Sequence, residues 1–341
     1  MRNPLTAGRW IATISLLIMI CLMALAVAIT IGTTSVKPWH FWTSMGTQEH
    51  IWIARILDYR LRRAILAAII GAGLATAGGS FQAILRNPLA EPYLLGVMGG
   101  GSIGAVLALA LGLSGMGVRP LAAFAGSLLS MGLVWAVASG GGKSGPRAQN
   151  LILAGVIVNA FFAGIIMFIT SVMGSDQVKS FLFWMMGDLS SERSPGWLLF
   201  VAIYIGAGLA LILPMARDYN LIALGEDSAR QLGANTRRMK ILTYVGACVI
   251  TAACVSVAGL IGFVGLIVPH TIRLLLGPDH RLLLPACVLG GAIFLLVCDT
   301  ISRTIVPVSE IPIGAVTSLF GGPFFLWLLR RRGAGVFPGE Q

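Results

Sequence analysis

Long apolar runs separated by short polar connections dominate this chain, and they set its architecture before any motif does. Runs of 16 to 22 residues cover Trp10–Ile31, Ala64–Ala83, Leu94–Leu113, Leu121–Ala138, Leu151–Thr170, Trp197–Leu213, Ile241–Ala258, Leu260–Leu276, Leu282–Ile301 and Gly314–Leu329. A hydrocarbon core of about 30 Å is crossed by about 20 apolar residues in helical form, because backbone facing lipid must satisfy its own hydrogen bonds. The pattern predicts an all-α polytopic membrane protein with about ten transmembrane helices in a single domain over residues 1–341, the eighth helix short and broken by glycine. The first run is too long for the core of a signal peptide and no small-residue cleavage site follows it, so it reads as a retained span. Small residues at spacing four, Gly71, Ala75 and Gly79 on the second run and Ala122, Gly126 and Ser130 on the fourth, mark faces where helices approach closely.

The connections carry the remaining organisation. Gly32–Tyr59 holds Trp39, Trp42, Trp52 and the stretch IWIARIL, which suits an amphipathic segment at the membrane interface. Ser171–Gly196 has an apolar, aromatic middle, Phe181–Met186, that predicts a short helix over the outer mouth. Ala216–Lys240 is longer than a turn between two spans requires. It predicts two short helices, Asn220–Leu224 and Glu226–Leu232, with Gly225 as the bend and Gly233 as the stop. A faint echo, Ala77-Gly78 against Ala258-Gly259, leaves an internal repeat open.

Composition excludes an ordinary soluble domain: 57% of the 341 residues are hydrophobic and 11% charged. With the N-terminus inside, the inner ends carry Arg2, Arg9, Arg86, Lys143, Arg147, Arg217, Arg230, Arg237, Arg238, Lys240, Arg273, Arg281, Arg330, Arg331 and Arg332. That is 15 of the 24 Lys and Arg, against 24 − 15 = 9 outside, so both termini are expected in the cytoplasm. The net charge of +11 suits an anionic membrane face and calls for no nucleic acid. Arg55, Arg60, Arg62 and Arg63 crowd the outer end of the second run, and Arg303 ends the ninth. Lipid headgroups with local pairing to Asp58 and Asp299 explain them as readily as an external docking partner.

Catalytic chemistry finds no support. Gly99, Gly101 and Gly104, and again Gly140, Gly142 and Gly145, satisfy G-x-G-x-x-G at the ends of membrane runs, where no strand precedes them. Gly142-Lys143-Ser144 lacks the first glycine of a phosphate loop, because Val137 stands there. The chain is therefore not expected to hydrolyse nucleotide, bind a metal or hold a cofactor itself. His270 and His280 flank a turn without further ligands, and Cys21, Cys248, Cys254, Cys287 and Cys298 read as small buried apolar residues. Polar groups within the runs are few: Thr76, Gln82, Asn159, Thr251 and Ser256, with Asp299 near the outer surface. Carboxylates at mid-membrane are expected to be missing, which argues against an ion-coupled carrier and places the driving energy elsewhere.

The stretches RLRRAILAAIIGAGLATAGGSFQAILRNPLAEPYLLGV (60–97), LILAGVIVNAFF (151–162), FWMMGDL (183–189), LGEDSARQLG (224–233), GLIGFVGLIVPHTIR (259–273) and SEIPIGAVTSLFGGPFFLWLL (309–329) resemble the FecCD-type permeases of ABC importers, over nearly the whole chain. That resemblance implies the type II importer fold and a dimer of permeases, most simply a homodimer, with the pathway at the subunit interface. It also implies two ATPase subunits that carry ATP and Mg, a solute-binding protein outside, and location in a prokaryotic inner membrane. The cargo would be an iron–siderophore complex, with cobalamin or haem as alternatives; an ion-coupled secondary transporter is the rival class.

The resemblance also implies site residues. Arg60, Arg63 and Arg303 would dock the binding protein, Arg62 standing where the family has proline. Gly225, Glu226, Asp227, Ala229, Arg230, Leu232 and Gly233 would couple to the ATPase. Asn87 and Leu89, with Ala148 and Gln149, would form the cytoplasmic gate, and Asn159 would face the pathway.

Overall fold

The computed structural model describes residues 5–32, 48–113, 115, 117–140, 146, 148–189, 195–306 and 310–333. Expectations for Arg2, Trp39, Trp42, Lys143 and Arg147 lie outside them. The described residues are helical, without strands: α1 Ala7–Thr30, α2 Gln48–Ile84, α3 Val97–Ala110, α4 Val118–Ser139, α5 Ala148–Val172, α6 Ser175–Met185, α7 Pro195–Ile212, α8 Ala216–Ile222, α9 Glu226–Gln231, α10 Thr236–Ala258, α11 Val264–Leu276, α12 His280–Thr304 and α13 Ile313–Gly333. Among the described residues, seven segments are long and apolar enough to cross a membrane: α1, α2, α4, α5, α7 continuing into α8, α10 and α12. Three shorter apolar helices, α3, α11 and α13, occupy the third, eighth and tenth predicted spans.

Polar side chains at the starts satisfy orphan backbone donors. Thr6 accepts from Arg9 N, Asn235 from Arg238 N and Asp279 from Arg281 N, at 3.3, 2.9 and 3.0 Å. The stretch IWIARIL does not lie separately at the interface; it is the outer extension of the 37-residue α2. The predicted outer helix is present as α6.

Central α2 packs most extensively on α12, with α10, α11, α7 and α1 around it, whereas α1 and α5 turn most of their side chains outward. Close approach explains the small-residue faces. A Cβ on Gly71 would collide with the Gly291 carbonyl, one on Gly126 with the Gly100 carbonyl and one on Gly78 with the Gly265 backbone. Ser130 Oγ adds a 2.7 Å bond to the Gly96 carbonyl.

Two helices start inside the slab rather than at its surface. α3 follows Gly96, whose φ of +90° breaks the third predicted span, and Gly96 packs against Ser130 at the middle of α4. α11 follows Phe263 at φ +68°, a backbone conformation uncommon outside glycine. Gly265 of its first turn rests on the Leu74 carbonyl, halfway along the second predicted span. The chain from Asn87 to Gly96 therefore re-enters the bundle instead of forming a surface turn.

Candidate functional site

Three clusters, at the inner end, the midplane and the outer end, contain the site residues; inner here denotes the Arg86 side. At the inner end, α8 is stapled to the bundle. Buried Tyr219 shares a 2.6 Å hydrogen bond with Thr243 of α10, and Asn220 binds Asp279 Oδ1 at 2.8 Å while accepting from His280 N at 2.9 Å. Hydrogen bonds from Arg281 and Asn220 draw the Asp279 carboxyl down to about 2.

Gly225 then bends at φ +113°, and Gly233 stops the chain at φ +88°. Between them α9 is held by Glu226, whose two oxygens each lie 2.8 Å from Lys240 Nζ and one of which lies 2.6 Å from Arg230 Nη2. Partial burial pushes the Glu226 carboxyl up, but Lys240 and Arg230 outweigh it and hold it below its usual range. Arg230 Nε also binds Thr236 Oγ1 at 3.0 Å. Ala229 is buried, while Leu224, Leu232 and Asp227 project outward. The result is a fixed knob with an exposed leucine on each side.

Ala148 and Gln149 open α5 on the wall of a cavity of about 320 Å³, which Arg86, Tyr244, Glu226 and Lys240 also line. The structure thus brings the α5 half of the expected gate together with the knob. Asn87 and Leu89 form their own tight turn beside Arg86, with Asn87 Oδ1 accepting from Leu89 N at 2.9 Å. They do not line that cavity.

At the midplane, Asn159 is a stitch between elements. Its Oδ1 accepts from Gly99 N at 3.1 Å, satisfying a donor at the start of α3, and its Nδ2 donates to the Tyr93 carbonyl at 3.2 Å. Glu91 Oε1 plays the matching part for α11, accepting from Phe263 N at 2.7 Å. This corrects the expectation that no carboxylate lies at mid-membrane: Glu91 belongs to the re-entrant stretch, and neighbouring Pro92 packs beside Gly265.

At the outer end, Arg60, Arg63 and Arg303 converge, yet each is only 4% exposed. Arg63 binds Asp299 at 2.7 Å, Glu310 at 2.6 Å and Tyr59 Oη at 3.1 Å. Arg303 binds the other Asp299 oxygen at 3.0 Å and the Ala28 carbonyl at 2.9 Å, while Arg60 donates to the Thr30 carbonyl at 3.2 Å. Asp299 is fully buried, and Glu310 is 41% exposed. The cluster ties α1, α2 and α12 together, and its Arg63–Glu310 edge borders a cavity of about 290 Å³ that Asp188 also lines. Arg62 points elsewhere, pairing with Asp58 at 2.9 Å.

The model of the FecCD transport family matches residues 17–331. The chain belongs to that family. Among its relatives, the cobalamin import system permease protein BtuC of Halobacterium salinarum is 42% identical over 274 residues, covering 80% of this chain and 72% of the relative. The hemin transport system permease protein HmuU of Yersinia pestis is 36% identical over 326 residues, covering 93% and 94%. A solved inward-facing structure assigned to the metal-chelate type of ABC transporter superposes with a TM-score of 0.81 at 27% identity, over 94% of this chain and 99% of the other.

Within this FecCD chain, three anchoring groups go beyond the sequence expectations: Lys240 holds Glu226, Glu91 reaches Phe263 from a stretch with the composition of a surface turn, and Glu310 binds Arg63. The local pairing of Arg303 with Asp299, offered by their spacing of four, is present on one face of α12, and Asp299 reaches Arg63 of α2 as well.

Proposed function

We propose that this chain is the permease subunit of an ATP-driven importer that carries a bulky metal chelate across a prokaryotic inner membrane. The first candidate cargo is an iron–siderophore complex, with haem and cobalamin as alternatives. In this reading two copies enclose the path, two ATPase subunits receive the α9 knobs and a solute-binding protein docks outside, with both termini in the cytoplasm. The fixed α9 knob supports it most: Glu226 ties it to Lys240 and Arg230 while Leu224 and Leu232 stay exposed for a partner, and the head of α5 faces it across one cavity.

External docking, in the same reading, works through Arg63. Its guanidinium already holds the partly exposed Glu310, so an incoming carboxylate takes that place while Asp299 keeps the other side. Glu91 does not revive an ion-coupled carrier, because its carboxylate is committed to the Phe263 N–H.

The test is reconstitution with the ATPase and binding protein in liposomes, supplied separately with a labelled ferric siderophore, haemin and cobalamin. ATP-dependent accumulation of one of them is expected. Accumulation driven by a proton or sodium gradient without the ATPase, or no accumulation of any chelate, overturns the proposal.

A further inference from the structure

A second concavity lies on the membrane flank, between α4 and α10. It is an open groove of about 350 Å³ lined by Leu128, Met131, Gly132 and Trp135 of α4 and by Ile241 and Val245 of α10 among others. The α4 residues follow i, i+3, i+4, i+7, the spacing of one helix face. Gly132 keeps the groove open, since a Cβ there would meet nothing within 4 Å. The walls carry almost no hydrogen-bonding capacity, so an occupant must be apolar along its length.

The inner end of the groove is charged. Arg238, Ile241, Val245 and Val249 stand at i, i+3, i+7 and i+11, so Arg238 heads the stripe that forms the α10 wall. Arg238 is exposed, as is Arg237 beside it, and its guanidinium makes no ion pair among the described residues. Eleven residues of helix span about 16 Å, roughly half of a hydrocarbon core of about 30 Å. A cation at headgroup level above one leaflet's depth of apolar groove matches an anion joined to a fatty chain.

We propose that this groove holds an acyl chain of an anionic phospholipid, with the lipid phosphate on Arg238. Guanidinium binds phosphate by paired, charge-assisted hydrogen bonds, and a basic residue near an anionic surface is drawn to it. The site also has a mechanical position. The Trp135 and Tyr244 rings, 4.6 Å apart, with Tyr244 Oη donating to the Met131 carbonyl at 2.8 Å, form the partition between the groove and the cavity of the α5 head and the knob. A chain in the groove braces that partition from behind.

Brominated phospholipid chains quench tryptophan on contact, so Trp135 reports occupancy directly. The full-length protein is placed in phosphatidylcholine nanodiscs containing a tenth of either brominated phosphatidylglycerol or brominated phosphatidylcholine. The Trp135 component is isolated by subtracting Trp135→Phe, because the chain has eight tryptophans. At least threefold stronger quenching by the glycerol lipid is expected, abolished by Arg238→Gln, retained by Arg238→Lys and unaffected by Arg330→Gln. Gly132→Leu, which fills the groove, should remove Trp135 quenching by both lipids. Equal quenching by the two headgroups, or a preference that survives Arg238→Gln, overturns the proposal. So does the absence of quenching by either lipid in the unmodified protein, which would mean that another protein surface covers the groove.

Discussion

Arg63 and Asp299 lie 236 residues apart in the chain and 2.7 Å apart at the outer end of the bundle, both buried. Asp299 also accepts from Arg303, so a single carboxylate neutralises two guanidiniums from α2 and α12. Removing its charge leaves buried Arg303 without its carboxylate and Arg63 with Glu310 alone. Asp299→Asn should therefore lower stability by about 3 kcal/mol or more. Thermal unfolding in detergent checks this, and Arg303→Gln combined with Asp299→Asn should cost less than the sum of the two single changes.

Glu310 is the exchangeable partner of Arg63. Because its side chain is partly exposed, Glu310→Gln should change stability by less than about 1 kcal/mol. It should strengthen binding of the solute-binding protein several-fold, since no internal carboxylate then competes for the guanidinium. Surface-bound permease titrated with the binding protein gives the comparison, and unchanged or weaker binding would remove Arg63 from the docking surface.

At the knob, Glu226→Gln should separate ATP hydrolysis from uptake. The change removes the charge that holds α9 to Lys240 and Arg230 while leaving Leu224 and Leu232 exposed for the partner. Assembly with the ATPase should persist, with uptake per ATP falling several-fold. Equal uptake per ATP in both proteins would show that the pair carries no force.

Asp279 predicts a stability loss in acid. Its folded value, drawn down to about 2, lies below that of the unfolded chain. Its contribution is therefore complete above the ordinary aspartate range near pH 4 and lost as the pH falls through about 2. Screened by solvent, it amounts to about 1 kcal/mol. The unmodified protein should lose more thermal stability between pH 5 and pH 2.5 than Asp279→Asn.

Helix contact at Gly71 is tested against a glycine with free space. Gly71→Ala drives a methyl group into the Gly291 carbonyl and should destabilise by about 2 kcal/mol, whereas nothing lies near a Cβ on Gly206. Gly206→Ala should be neutral or stabilising by up to about 1 kcal/mol. Unfolding midpoints of the two variants make the comparison.

The helices that cross the whole slab were legible because hydrophobic run length is itself the physical requirement for crossing. The knob was legible for a similar reason: Gly225 and Gly233 stand at the two positive-φ positions that bound α9. What escaped was depth. RNPLAEP has the composition of a surface turn, and nothing in its letters shows that the chain climbs back to mid-membrane or that Phe263, a residue unsuited to positive φ, breaks the eighth span. The arginine cluster was found as a group, but its burial depends on Asp299 and Glu310 arriving from α12 and the stretch before α13, a long-range juxtaposition that periodicity does not encode.

The short helices α3 and α11 each reach only one face of the membrane, α3 the outer and α11 the inner. Rooted at Gly96 and Phe263 and fastened there by Asn159 and Glu91, they are tied at their far ends as well, by Gln177 on the Leu109 carbonyl and Arg9 on the Leu276 carbonyl. A half-length helix held at both ends moves only with the elements that hold it, so α3 follows α5 and α6 while α11 follows α1 and α2.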